Sequence, residues 1–305
     1  MLPRRGENLK ERFQPDEIPS SKPPPEPFGR QALRMVPFIL VALFLIGIPS
    51  YYYMDRQGIR LFGGDTESIQ KEDSRKLATV SQLMAEGKTT RALEIVQTLY
   101  TLHPDHADFV SEGAWINFKI DRYKQALKLS QKAIRLDPGR ARDHAVLGAC
   151  QLFFKDFKPA LVHSLKALEL DPDQALAYLT IGEIYLKEDD LERALPALKK
   201  AGRLEPGNPR VWLRLSSAFI KLEQWGRAEE AATNSLKLRE DSPGVHFNLG
   251  MVYYQTGKGL QAVEHMQRAE DLYHEMGQQE WTSQARKSKE LILKKFKLRP
   301  EDIAS

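Results

Sequence analysis

Histidine and cysteine are the side chains of this chain best suited to metal binding or nucleophilic catalysis, and their spacing predicts neither. His103 and His106 flank Pro104-Asp105, a combination typical of a turn rather than a metal site. Cys150 is the only cysteine, which excludes an intrachain disulfide and a cysteine metal cluster. The sequence contains no P-loop, nucleophile elbow or HExxH motif. We therefore predict a protein that is not an enzyme, with no cofactor, no metal and no small-molecule substrate.

The charge distribution argues against a nucleic-acid partner. Residues 73–276 contain 28 Lys and Arg against 28 Asp and Glu, and the whole chain carries a net charge of +4. Nucleic-acid binders usually show a clustered basic excess. Only residues 277–305 have an excess of basic residues, with seven basic against four acidic residues. A membrane-surface role for this basic segment is one alternative that the sequence leaves open.

The N-terminal part of the chain predicts a membrane anchor. Residues 1–34 are rich in proline and charge and have little apolar surface to bury, so a disordered tail is expected. Residues 35–53 contain no charged side chain, and a helix of this length spans roughly 28 Å, about one hydrocarbon core. The alternative is a cleaved signal peptide, but small residues before a cleavage site are missing. Residues 54–72 would then form a linker.

The flanking charges predict an orientation for this segment. Residues 1–34 contain seven Lys or Arg, whereas Arg56 and Arg60 follow closely after the segment. Positive-inside counting favours a cytoplasmic N-terminus and a translocated C-terminal domain, periplasmic or extracytoplasmic in a bacterium. We therefore expect a single-pass membrane protein.

A 34-residue period dominates the rest of the chain. Six alanines follow it without a gap: Ala92, Ala126, Ala160, Ala194, Ala228 and Ala262. Four prolines follow the same 34-residue spacing: Pro104, Pro138, Pro172 and Pro206. Gly148, Gly182 and Gly250 also fall on this period. This pattern resembles the tetratricopeptide repeat, which has glycine, alanine and proline at these positions.

The resemblance implies an all-α fold, a right-handed α-solenoid of helical hairpin repeats, here preceded by one transmembrane helix. Six repeats are predicted, and we number them 1 to 6: residues 73–106, 107–140, 141–174, 175–208, 209–242 and 243–276. Residues 277–298 read as an amphipathic capping helix and residues 299–305 as a short tail.

Two details predict how the helices begin and pack. Asn208-Pro209 and Ser242-Pro243 each place a capping side chain before a proline at the first helical position. His144 and His246 stand where other repeats have Tyr178 and Trp212, so packed rings are expected there.

The candidate binding surface follows from position within the first helix of each repeat, which the resemblance places on the inner face. The fifth, ninth and twelfth residues form a stripe beside the packing positions. Its apolar members, with the adjacent Phe153, are the candidate partner-binding residues: Trp115, Phe118, Leu152, Phe153, Leu179, Leu186, Leu213, Ile220, Phe247, Met251 and Tyr254. The alternative for the twelfth residues is that they close the core between the two helices of a hairpin.

These features predict a membrane-anchored scaffold or adaptor that binds a protein or peptide partner in its concave groove. An accessory chaperone for exported or membrane proteins is the nearest alternative. A regulatory subunit of a membrane enzyme is the alternative from another functional class.

Overall fold

The computed structural model describes residues 66–299, with side chains from residue 71 onward. The predicted tail 1–34, the membrane segment 35–53 and most of the linker lie outside these residues. Within residues 66–299, no helix combines the length and apolarity needed to cross a bilayer. The described residues from 69 onward belong to one compact unit.

The described part of the chain consists of helices joined by short turns. Each of the six repeats contributes one hairpin, and a final helix follows. The bounds are α1 (Thr66–Ala85), α2 (Thr89–Leu102), α3 (Ala107–Lys119), α4 (Tyr123–Leu136), α5 (Ala141–Phe153), α6 (Phe157–Leu170), α7 (Ala175–Lys187), α8 (Leu191–Leu204), α9 (Pro209–Lys221), α10 (Trp225–Leu238), α11 (Pro243–Gln255), α12 (Gly259–Glu275) and α13 (Gln279–Phe296).

The first helix corrects one predicted boundary. It begins at Thr66, inside the segment 54–72 that was predicted to be a linker. No glycine or proline lies between Gly64 and Gly87, so nothing in the sequence stops a helix there. The first helices of repeats 2 to 6, in contrast, begin at the first residue of each predicted range.

Only one of the two predicted helix caps forms a side-chain hydrogen bond. Asn208 accepts a hydrogen bond from the backbone N–H of Arg210 at 3.1 Å, as predicted. Ser242 makes no side-chain cap bond, so that part of the prediction is wrong. The backbone carbonyl of Ser242 instead accepts from the N–H of Val245 at 3.1 Å.

Small residues set the distance between the two helices of each hairpin. All six periodic alanines are fully buried. At Gly148 a Cβ atom would lie 2.9 Å from the carbonyl oxygen of Ala160 and 2.6 Å from Oγ of Ser164. At Gly182 it would lie 2.6 Å from Leu198. At both positions an added Cβ atom would lie closer to its neighbours than van der Waals contact allows. The close packing of these two hairpins therefore depends on glycine.

Paired histidines join the two helices of repeats 3 and 6. Nδ1 of His144 lies 3.1 Å from Nδ1 of His163, and Nδ1 of His246 lies 2.9 Å from Nδ1 of His265. Nε2 of His144 lies 3.2 Å from the carbonyl oxygen of Pro138, so that nitrogen must carry the proton. Its Nδ1 is then the acceptor and His163 the donor. The expectation of packed rings thus missed a specific hydrogen bond.

This pairing predicts that stability falls in mild acid. Burial, and then the charge of His246, lower the pKa of His265 to about 4, and burial also lowers the pKa of His163. The unfolded chain therefore binds these protons first, so stability is lost as pH falls from about 6.5 towards about 4. We expect the melting temperature, followed by circular dichroism, to drop through this window.

Replacing one pair member should reduce that drop. His265→Gln removes one titrating group, so its melting temperature should depend less on pH between 6.5 and 4. His274→Gln is the matched control, because His274 is exposed. An identical pH profile for His265→Gln and the wild type would contradict the assignment.

Candidate partner-binding groove

The first helices of the repeats form one continuous surface. Helices α3, α5, α7, α9 and α11 contact one another in sequence, whereas contacts between successive second helices are few or absent. Because the first helices lie closer together, they line the concave side of the stack. We call this face, formed by α3, α5, α7, α9 and α11, the groove.

A buried carboxylate lies at the centre of the groove. Glu183 on α7 is 5% exposed and accepts hydrogen bonds from Arg210 Nε at 2.7 Å and Nη2 at 2.6 Å, both on α9. Arg214, one turn further along α9, donates through Nε to the same carboxylate at 2.9 Å. Two guanidinium groups thus face one carboxylate, which leaves one positive charge in excess.

The arginines keep this carboxylate ionised. Burial acts to raise the pKa of Glu183, but the charges and hydrogen bonds of Arg214 and Arg210 outweigh burial and lower the pKa to about 2. The ion pairs therefore hold α7 and α9 in fixed register at physiological pH. Both arginine side chains remain 37% exposed.

A second polar cluster joins repeats 2 and 3. Asp143 is fully buried and accepts a hydrogen bond from Ser111 Oγ at 2.6 Å. Arg142 donates to Ser111 Oγ at 3.0 Å and to Glu112 Oε1 at 2.6 Å. Burial raises the pKa of Asp143, against the opposing effects of Ser111 and Arg142. Like the central cluster, these bonds connect successive first helices.

Aromatic rings form a ladder beside α3 and α5, which also includes Tyr123 at the start of α4. Trp115 stacks on Phe118 with ring centroids 6.0 Å apart, and Phe118 meets Tyr123 at 5.8 Å. Tyr123 stacks on Phe153 at 4.0 Å, and Phe153 meets Phe154 at 5.3 Å. Burial raises the pKa of Tyr123 to about 12, helped by its hydrogen bond to Asp121, so the phenol stays neutral. The ladder joins repeats 2 and 3.

Four of the predicted partner-binding residues are part of the core instead. Leu179 is 2% exposed, and Leu152, Leu186 and Phe118 are buried as well. The twelfth residues Phe118, Leu152 and Leu186 close the space between helices, which is the alternative considered for them. These four side chains expose little surface to a partner, and their contact with one stays a prediction.

The other predicted residues keep accessible surface. Phe153 is 57% exposed. Six more are partly exposed: Trp115, Leu213, Ile220, Phe247, Met251 and Tyr254. Three of these, Phe247, Met251 and Tyr254, lie in one cluster with Leu293 and Phe296 of α13. Lys295 Nζ also lies 3.8 Å from the ring centroid of Tyr254. Helix α13 therefore covers the C-terminal end of the groove in part.

The sequence did not predict the polar residues of the groove or two residues of the aromatic ladder, Tyr123 and Phe154. The sequence did contain a signal for the polar cluster, because its oppositely charged residues are separated by slightly less than one repeat. Arg210 and Glu183 are 27 positions apart, and Arg214 and Glu183 are 31 apart. A search for opposite charges at this separation would have found the central cluster.

The side chains that could do chemistry elsewhere have structural partners. Cys150 is buried, and burial raises the pKa of its thiol to about 12. His103 Nε2 lies 3.0 Å from Asp73, and His106 stacks on Phe109 at 4.0 Å. Within residues 66–299, no group of three or more His, Cys, Asp or Glu side chains is placed to hold a metal ion.

Comparison with known proteins identifies the repeat. Residues 185–233 and 213–275 each match a family model described as tetratricopeptide repeat. A search of curated protein sequences finds no match.

Solved structures with a similar fold are also found. The crystal structure of the APC/C hetero-tetramer Cut9-Hcn1 is 18% identical over 70% of this chain, with a TM-score of 0.60, and this chain covers 42% of that one. YrrB, a TPR protein with an unusual peptide-binding site, is 17% identical (63% of this chain, 97% of that one, TM-score 0.44). TTC0263, a thermophilic TPR protein in Thermus thermophilus, is 21% identical (60% and 98%, TM-score 0.48).

Residues 185–275 thus match models of the tetratricopeptide repeat, and the other described hairpins continue the same stack of paired helices.

Proposed function

We propose that the groove binds an apolar or amphipathic segment of a partner protein, so that the chain acts as a membrane-anchored scaffold or adaptor. The observation that carries this proposal is the partly exposed apolar side chains on the concave face, such as Trp115 on α3 and Leu213 on α9. Apolar side chains in a groove with a polar surround are typical of helix-in-groove recognition.

The central ion cluster adds a charge requirement. Arg210 and Arg214 share one carboxylate, and both keep exposed surface. An acidic side chain on the partner, placed between its apolar residues, would complement the excess positive charge. We therefore expect an amphipathic partner segment with at least one Asp or Glu near its middle.

The proposed anchor is the uncharged segment 35–53, with the N-terminus in the cytoplasm and the repeats on the other side of the membrane. Anchoring would raise the effective concentration of a second membrane-bound partner, so weak groove contacts would suffice. Reporter fusions after residue 305 would test the orientation. An active cytoplasmic reporter would contradict it.

The groove is tested by photo-crosslinking in cells. A photoreactive amino acid replaces Leu213 or Trp115, and Val162 serves as the matched control because it is 64% exposed on the second helix of its hairpin. We expect the groove positions to capture one defined partner that the Val162 position does not. Equal capture from both faces would contradict a groove site.

Affinity for that partner should depend on the same side chains. Trp115→Ala or Leu213→Ala should each weaken binding by about 5- to 30-fold, since central apolar contacts carry most of the binding energy of an interface. Val162→Ala should leave the affinity unchanged. Isothermal titration calorimetry with the captured partner would show whether the groove or the face that carries Val162 binds it.

The chaperone alternative has one specific observation in its favour. Phe153 and Phe154 are 57% and 43% exposed at the edge of the groove, as expected of a surface that binds unfolded chains. A chaperone would suppress the aggregation of several unrelated denatured proteins. Capture of a single stoichiometric partner would favour the scaffold.

A further inference from the structure

A cavity lies where repeat 4 meets repeat 5. It is a half-open cavity lined by α8, α9 and α10 and has a volume of about 360 Å³. Gly202 lines it, at a position where the other repeats have a larger side chain: Tyr100, Ile134, Leu168, Leu236 and Glu270. A Cβ atom on Gly202 would lie 3.4 Å from Val211 and 3.6 Å from Leu215, which is ordinary contact. The missing side chain at Gly202 therefore accounts for part of the space in this cavity.

The walls of the cavity are apolar and held in place. Leu215 and Phe219 of α9 are 4% and 8% exposed and belong to the same core cluster. The indole of Trp212 donates through Nε1 to the carbonyl oxygen of Pro206 at 2.7 Å, which fixes its orientation. The volume falls within the range of small-molecule sites, about 300 to 1,000 Å³. The site is therefore formed before any ligand arrives.

The rim of the cavity is positively charged. Lys199, Arg203 and Arg227 line it together with a single acid, Glu230. Within residues 71–299, neither Lys199 nor Arg203 forms an ion pair, and Arg227 lies over the ring of Phe219 at 6.0 Å. An apolar ligand that ends in an anionic group matches this combination of wall and rim.

We propose that this cavity binds a small carboxylic acid with an apolar, aromatic-sized body. The body lies against Trp212, Leu215 and Phe219, and the carboxylate meets Arg203 and Lys199 at the rim. The cavity shares no residue with the accessible apolar set of the groove, so this proposal is independent of the partner-binding function.

Saturation-transfer NMR and calorimetry with 3-phenylpropionate test the proposal, with the full-length chain in one buffer and detergent for all variants. The acid should bind the wild type and Gly202→Ala, since alanine leaves the cavity open. Gly202→Leu restores the bulk found in the other repeats and should raise the dissociation constant more than tenfold. Equal binding of the acid by Gly202→Leu and the wild type would overturn the proposal.

A second experiment tests whether binding requires the negative charge of the ligand. It also tests the proposal if Gly202→Leu fails to fold. The neutral amide, 3-phenylpropanamide, should bind more weakly than the acid. Arg203→Gln should raise the dissociation constant of the acid about three- to tenfold and leave that of the amide unchanged. Arg239→Gln is the control, because Arg239 is exposed and lies outside the cavity. No binding by the wild type, or equal affinity for acid and amide, would overturn the proposal.

Discussion

Glu183→Gln should lower the free energy of unfolding by about 2 to 3 kcal/mol, the largest effect we expect from a single substitution in the groove. The amide keeps the shape of the side chain but leaves Arg210 and Arg214 without a counter-charge beside a buried position. Breaking a fully buried ion pair costs more than this. The expected value is smaller because both arginines are more than one third exposed to water, which screens their charge. Urea unfolding followed by circular dichroism measures the change.

Two further variants separate lost charge from lost packing. Glu264→Gln is the matched control, since Glu264 is exposed on α12, and it should change stability by less than about 0.5 kcal/mol, as surface substitutions usually do. Replacing Glu183, Arg210 and Arg214 together by leucine removes all three charges and should recover most of the lost stability. A Glu183→Gln variant as stable as the wild type would show that the cluster contributes little to the fold.

Gly148→Ala should destabilise the protein by about 1 to 2 kcal/mol, although alanine is the better helix former. Its Cβ would lie 2.9 Å from the backbone oxygen of Ala160, and a backbone atom moves only if the whole helix moves. Repeat 2 has a fully buried Ala114 at the equivalent position, so a hairpin of this type can accommodate an alanine there. In repeat 3, α5 and α6 would have to move apart to accommodate it.

The same substitution at Gly202 should have the opposite sign. Gly202→Ala meets only ordinary contacts at 3.4 and 3.6 Å, so the gain in helix propensity should appear as about 0.5 to 1 kcal/mol of added stability. Comparing the melting temperatures of the two glycine variants tests the interpretation directly. A loss of stability in both would mean that helix spacing is tighter than the geometry indicates.

Periodicity predicted the fold because each repeat uses the same few packing positions. The period of the buried alanines located every hairpin, and Pro209 and Pro243 begin α9 and α11 as expected. The start of α1 was missed because residues 66–72 are almost all polar and show no apolar period. The missing cap of Ser242 has a similar origin, since a side-chain rotamer does not follow from spacing.

The binding surface was harder to predict because a repeat position does not define how deeply a side chain is buried. Leu179 and Leu213 hold the same fifth position, yet Leu179 is 2% exposed while Leu213 keeps accessible surface. The difference depends on the neighbouring repeat, whose residues at that point differ. The Glu183 cluster likewise requires side chains from two repeats, and its geometry appears only when the hairpins are stacked.

Within residues 66–299, the extensive helix contacts of each hairpin are with its neighbours along the chain, and this has a mechanical consequence. Contacts of this kind make a repeat stack elastic, because a pull on its two ends spreads small changes over every junction instead of breaking one core. Under increasing force the hairpins would detach one after another, each adding its own length. Such stepwise lengthening would let the stack keep a bound partner while the distance to the proposed N-terminal anchor varies.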